Sequence, residues 1–112
     1  MPNKLLLAPL FETRYKRLAK KYASLEREID DLIEKLIETP TLGEPMGAGL
    51  YKIRLAVKSQ GKGKRGGFRV ITYLVVQAED ATDVYLLTLY DKSEDSTIRK
   101  ETLLKLVETL FP

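Results

Sequence analysis

Apolar residues recur at intervals of three and four in the first part of this chain and at intervals of two after residue 50, and that switch limits the possible folds more than any other feature. Phe11, Tyr15, Leu18, Ala19 and Tyr22 fall at helical spacing, with Arg14, Lys16, Arg17, Lys20 and Lys21 between them, which predicts an amphipathic helix with a basic face. Ser24 then stands as an N-cap, Glu26 and Glu28 follow it, and Leu25, Ile29, Leu32, Ile33, Leu36 and Ile37 make a second apolar stripe. The break between the two stripes is short, so the helices are expected to form a hairpin that lays one apolar side on another layer.

Thr39 to Gly49 holds Pro40, Gly43, Pro45, Gly47 and Gly49 and is expected to be a loop. Beyond it Tyr51, Ile53, Leu55 and Val57 alternate with Lys52, Arg54, Ala56 and Lys58, the pattern of a strand with one buried and one basic face. Phe68 to Val76 is apolar on both sides and predicts a central strand, Gln77 to Asp83 a polar turn, and Val84 to Tyr90 a further strand. A last helix carries Leu103, Leu106, Val107, Leu110 and Phe111, with Asp95 or Ser96 as its cap. Lys4 to Ala8 can open the fold as a strand ending at Pro9. The expected domain is therefore α+β, in the order β-α-α-β-β-β-α, with one sheet face on helices and the other open to solvent or a ligand. With 112 residues it is one domain, residues 1–112.

The chain has no Cys and no His, which removes zinc-thiolate sites, thiol or imidazole catalysis, disulfides and any Ser-His-Asp triad. Acid-base chemistry at neutral pH would have to come from Lys, Arg, Tyr, Asp or Glu. No apolar run approaches the roughly 20 residues of a membrane-spanning helix, and Leu5-Leu6-Leu7 is too short for a signal-peptide core, so a cytoplasmic protein without a membrane partner is expected.

Charge is unevenly placed. From Pro45 to Ala78 there is no acid, and there are seven bases: Lys52, Arg54, Lys58, Lys62, Lys64, Arg65 and Arg69. The whole chain has 19 bases and 16 acids, so the rest is net negative and the basic segment points to a local anionic partner such as a phosphate backbone. Gly61-Lys62-Gly63-Lys64-Arg65-Gly66-Gly67 lies at its centre. The stretch contains G-x-G-x-x-G, but a strand follows it where a dinucleotide site needs a helix N-terminus, and it lacks the Lys-Ser/Thr ending of a P-loop. What remains is a glycine turn that lets backbone approach a ligand closely, tipped with cations and followed by Arg69. A plain solvated hairpin loop has the same composition; the acid-free flanks favour phosphate binding.

Tyr51-Lys52-Ile53-Arg54, the block from Gly61 through Phe68-Arg69-Val70-Ile71-Thr72-Tyr73, and Leu86-Leu87-Thr88-Leu89-Tyr90-Asp91-Lys92 together resemble the RelE/ParE toxin superfamily, most closely the HigB-like branch of RelE. The order of elements agrees over nearly the whole chain, and the N-terminal half agrees only as a helix pair. The resemblance implies the toxin of a type II toxin-antitoxin pair, an endoribonuclease that cleaves mRNA on the ribosome, needs no metal or cofactor, and is silenced by a cognate antitoxin. It implies Lys62 or Lys64 as general base, Arg69 as the arginine that stabilises the phosphorane, and Tyr90 or Lys92 as general acid. Lys52, Arg54, Lys58 and Arg65 would bind RNA, and Tyr73 would stack on a base. Crowding of Lys62, Lys64, Arg65 and Arg69 would lower a lysine pKa towards that of a usable base, and concentrated positive charge would stabilise the transition state. Some members carry a histidine near the end of the last strand, and this chain has none. The ParE branch has the same fold but poisons DNA gyrase, so a gyrase poison and a non-catalytic RNA-binding module stand as the alternatives. By residue type alone, Tyr73 and Tyr90 are ordinary strand tyrosines, and Lys92 with Asp91 a surface pair.

Overall fold

The structure, a computed structural model, describes residues 3–61, 67–94 and 98–111. Strand β1 (Lys4–Leu7) leads into helices α1 (Pro9–Lys21) and α2 (Leu25–Glu38). Strands β2 (Glu44–Gly47), β3 (Leu50–Leu55), β4 (Phe68–Ala78) and β5 (Ala81–Asp91) follow, with a 3-10 turn at Lys58–Gln60, and helix α3 (Lys100–Leu110) closes the chain. The sheet has five strands in the order β1-β5-β4-β3-β2. β1 runs parallel to β5, and the other neighbours are antiparallel, so the sheet is mixed. The α+β class matches the expectation, with one strand more than expected.

That strand is β2, which lies in the stretch expected to be a loop. The glycines there make a hairpin: Gly47 pairs with Leu50, and both intervening residues have positive φ, Ala48 at 55° and Gly49 at 82°. Two successive left-handed residues are the mark of a type I′ turn, whose twist suits the flanking strands. Pro45 is tolerated because β2 lies at the sheet edge. The polar turn between β4 and β5 is also tighter than expected, because the ladder continues to Ala78 and Ala81.

Two cores sandwich the sheet. On one side Phe11 and Leu18 of α1 and Leu25, Ile29, Leu32 and Leu36 of α2 pack on Ile53, Phe68, Val70, Val84, Leu86 and Leu89. These helical residues are members of the expected stripes, each buried to within 4% of full coverage. On the other side Leu50, Ile71, Leu87 and Tyr90 meet Ala8 and Leu103. The second face was expected to be open; instead α3 lies over it, because Ile71 and Leu87 give that face too much apolar surface to leave in water. A register shift between Ile71 and Thr72 in the β4–β5 ladder makes Leu87 the extra residue, so that Leu86 and Leu89, three apart, share one core and Leu87 and Tyr90 share the other. The expected caps Asp95 and Ser96 lie outside the described residues, and α3 begins at Lys100 with Arg99 in the cap position. None of the helices among the described residues is long and apolar enough to cross a membrane.

Candidate nucleic-acid interface

Register places three of the predicted site residues in one row. Arg54 pairs with Arg69, and Arg69 pairs with Tyr90, so the three stand side by side across β3, β4 and β5 on the face that also carries α3. Directly opposed residues in an antiparallel ladder have Cβ atoms about 5 Å apart, and like charges placed that way repel. Both arginines belong to the segment from Pro45 to Ala78, which has no acid. An anion bridging Arg54 and Arg69 would accept two planar, fork-shaped donors.

The row is graded in exposure. Arg54 is exposed, Arg69 is 3% exposed and Tyr90 2%. Arg69 Nη1 donates to the Phe68 carbonyl at 3.1 Å, which aligns its guanidinium along β4. Tyr90 belongs to the apolar cluster with Leu50, Ile71, Leu87 and Leu103, so its ring serves as core in this arrangement. The face was expected to hold Arg69 and Tyr90 open to a ligand; both side chains are instead buried, Tyr90 in the cluster that includes Leu103 of α3.

The other predicted residues divide. Lys92 is exposed, and its backbone N–H donates to the Gly67 carbonyl at 3.1 Å, so the turn after β5 meets the residue at which the glycine-rich stretch ends. Lys52 pairs with Ile71 one step along the sheet from Arg54, half-buried. Lys58 is exposed but turned towards α2, where its backbone N–H donates to Glu28 Oε2 at 2.8 Å and it borders a cleft of about 580 Å³ with Glu28 and Asp31. It does not join the row. Tyr73 lies four residues along β4 from Arg69, about 13 Å away, and its ring sits 6.2 Å from that of Phe111 in an aromatic group that includes Tyr85. Lys62, Lys64 and Arg65 lie outside the described residues.

The alternative reading of Asp91 and Lys92 as a surface pair does not fit Asp91, which is buried. It is 1% exposed and faces away from Tyr90, towards the α1–α2 side. Its Oδ1 accepts from the Ser93 N–H at 3.0 Å and from Ser93 Oγ at 2.7 Å; its Oδ2 accepts from Gln60 Nε2 at 2.7 Å and from Tyr22 Oη at 3.2 Å. Burial alone pushes such a carboxyl up, but the donors from Ser93, Gln60 and Tyr22 outweigh it and hold Asp91 below its ordinary value of 3.8. The 3-10 turn that carries Gln60 is fixed from its other side by a reciprocal clasp. Ser59 N–H donates to Ser24 Oγ at 2.9 Å and Ser24 N–H to Ser59 Oγ at 3.2 Å. The sequence signal for this network was faint: one acid at a strand end after an apolar run, with a polar residue two positions on.

Basic side chains of α1 also have places. Arg14 Nη1 reaches the Leu89 carbonyl at 3.3 Å, while Lys16, Arg17 and Lys20 are exposed. Lys21 pairs with Glu94 at 2.8 Å, and that hydrogen bond raises its pKa.

No protein-family model matches the chain.

Proposed function

We propose that this protein is a RelE-like toxin that cleaves mRNA without a metal, with the row Arg54–Arg69–Tyr90 as the core of its phosphate site. The observation that carries this is the register, which stacks two arginines from the acid-free segment and a tyrosine of the next strand side by side across three strands. Two arginines side by side offer paired forks of donors, a good way to hold a phosphodiester.

The chemistry requires little more. A 2′-hydroxyl attacks the adjacent phosphorus, forming the 2′-O–P bond while the 5′-O–P bond breaks. One group takes the hydroxyl proton and another returns a proton to the departing 5′ oxygen, leaving a 2′,3′-cyclic phosphate and a 5′-hydroxyl. Arg54 and Arg69 carry the growing charge on the equatorial oxygens, the larger part of the rate gain in such a site. Lys62 or Lys64 removes the proton, and Tyr90 or Lys92 supplies the other. Because Arg69 and Tyr90 are buried and Arg54 is exposed, a substrate enters from the Arg54 side and the groups that cover Arg69 and Tyr90 shift to admit it. A cognate antitoxin would silence the protein by holding that face closed to RNA.

The test is cleavage of labelled mRNA held in a ribosomal A site, with wild type, Arg69→Lys, Arg69→Ala and Lys62→Ala. Loss of cleavage in folded variants supports the proposal. Folded variants that cut as fast as wild type refute it, growth arrest with DNA damage and intact mRNA moves the assignment to a gyrase poison, and salt-dependent RNA binding without cleavage moves it to a binding module.

A further inference from the structure

We infer that Asp91 is a positioning residue for the proposed cleavage site, acting as a clamp that ties the chain on both sides of the glycine-rich stretch to the strand end bearing Tyr90 and Lys92. The inference rests on the function proposed above, and on four hydrogen bonds that converge on one nearly buried carboxylate.

Each bond has a distinct effect. Gln60 is the last residue of the 3-10 turn, and Gly61 N–H folds back on the Val57 and Lys58 carbonyls at 3.3 and 3.1 Å, so holding the Gln60 side chain fixes where the chain leaves towards residue 62. At the far side, Gly67 O accepts from Lys92 N–H, one residue beyond Asp91. The Ser93 bonds lock the turn in which Lys92 sits. Glu94 N–H, which donates to the Asp91 carbonyl at 3.0 Å, tightens that turn further. Tyr22 brings the end of α1 to the same oxygen as Gln60, and its ring meets Phe68 edge-on at 5.3 Å, which seats the start of β4.

The geometry is specific to a carboxylate. All four donors are neutral N–H or O–H groups, so the site is a pure acceptor cluster, and an amide at position 91 would turn an NH₂ towards donors on one side. Because Asp91 can only accept, it also fixes the Gln60 amide with Nε2 inward and leaves Gln60 Oε1 buried without a partner. Asp91 itself points away from the Arg54–Arg69–Tyr90 row, so it acts on the reaction only through the groups it holds.

The experiment is single-turnover cleavage of ribosome-held mRNA by wild type, Asp91→Asn and Gln60→Ala, with RNA affinity and thermal unfolding measured on each. Gln60→Ala removes one arm of the clamp from a half-buried position and keeps the test open where Asp91→Asn fails to fold. The expected result is a fall in the cleavage rate of folded protein by about tenfold to a hundredfold, the scale on which misplacing reacting groups by an ångström acts, with RNA affinity within twofold of wild type. The double variant should lose no more than the worse single variant. Rates per folded molecule within twofold of wild type, or equal loss of affinity and rate, overturn the inference while leaving the nuclease intact. A wild-type protein that does not cleave takes down the functional proposal and this one with it.

Discussion

Leu103 is the one fully buried side chain of α3, whereas α2 has four, and truncating it should detach the last helix without unfolding the domain. Leu103 is 0% exposed and meets the cluster of Leu50, Ile71, Leu87 and Tyr90. Replacing such a leucine by alanine costs about 2–5 kcal/mol, through lost transfer energy and the cavity left behind. The half-buried Leu104, Leu106, Val107 and Leu110, with Ile98 before the helix and Phe111 after it, are further apolar ties, and none is as deeply buried as Leu103. Since every 1.4 kcal/mol is a factor of ten, the population with α3 open should rise at least about thirtyfold. Amide hydrogen exchange reads this directly: residues 103–110 should exchange faster by that factor in Leu103→Ala, while Val70 and Leu89 keep their wild-type protection. Equal acceleration in β4 and β5 would show that α3 belongs to the same cooperative unit as the sheet, and the reasoning would be wrong. Leu36→Ala is the control, because its buried contacts lie in the core shared by α1, α2 and the sheet, and it should lower the stability of all elements together.

Other outcomes follow from particular contacts. Ala48→Gly, at φ 55° in an exposed hairpin turn, should raise stability by roughly 0.5–1 kcal/mol in denaturant unfolding, because the left-handed conformation penalises a Cβ by more than glycine's extra chain entropy costs. Gly49→Ala should do the reverse, since a Cβ there meets the Leu74 carbonyl and the Tyr73 ring at 3.2 Å. The lowered pKa of Asp91 stabilises the fold above the ordinary carboxylate value of 3.8, and this contribution is lost as pH falls through the lower folded value. Thermal unfolding of wild type should therefore decline more steeply below about pH 4 than that of Asp91→Asn, with the two curves parallel above pH 5. Arg54→Gln should leave stability within about 0.5 kcal/mol of wild type, as Arg54 is exposed. The same change should reduce the salt slope of RNA binding by about one.

The elements with a clean period were legible from sequence. Phe11 and Leu18 of α1 and Leu25, Ile29, Leu32 and Leu36 of α2 are buried as the spacing of the two stripes requires, with the other stripe residues half-buried, and β4 and β5 read as strands because Val, Ile, Leu and Thr fill them. β2 was hidden because glycines signal a left-handed turn without saying whether the flanking residues pair. The covered second face was also hidden. Alternation says that Leu50, Ile71 and Leu87 want to be buried, but not whether α3 or a partner buries them. In the candidate site, Arg54, Arg69 and Tyr90 were recognisable by type and position, while their alignment in one row depends on register, which the sequence does not print. Lys58 misled because alternation assigned it to the basic face, whereas the chain leaves the sheet after Leu55 and turns Lys58 towards Glu28. Asp91 escaped notice because a carboxylate beside a lysine reads as a surface pair until its four donors, from α1, the 3-10 turn and its own turn, are seen together.

Nuclease action on mRNA is tested most directly by mapping mRNA 5′ ends after inducing this chain in a bacterium, beside Arg69→Ala and beside cells in which translation is blocked. The account predicts new 5′-hydroxyl ends within translated codons for wild type, absent in the variant and in blocked cells. Growth arrest without new ends, or the same ends in folded Arg69→Ala, would contradict it.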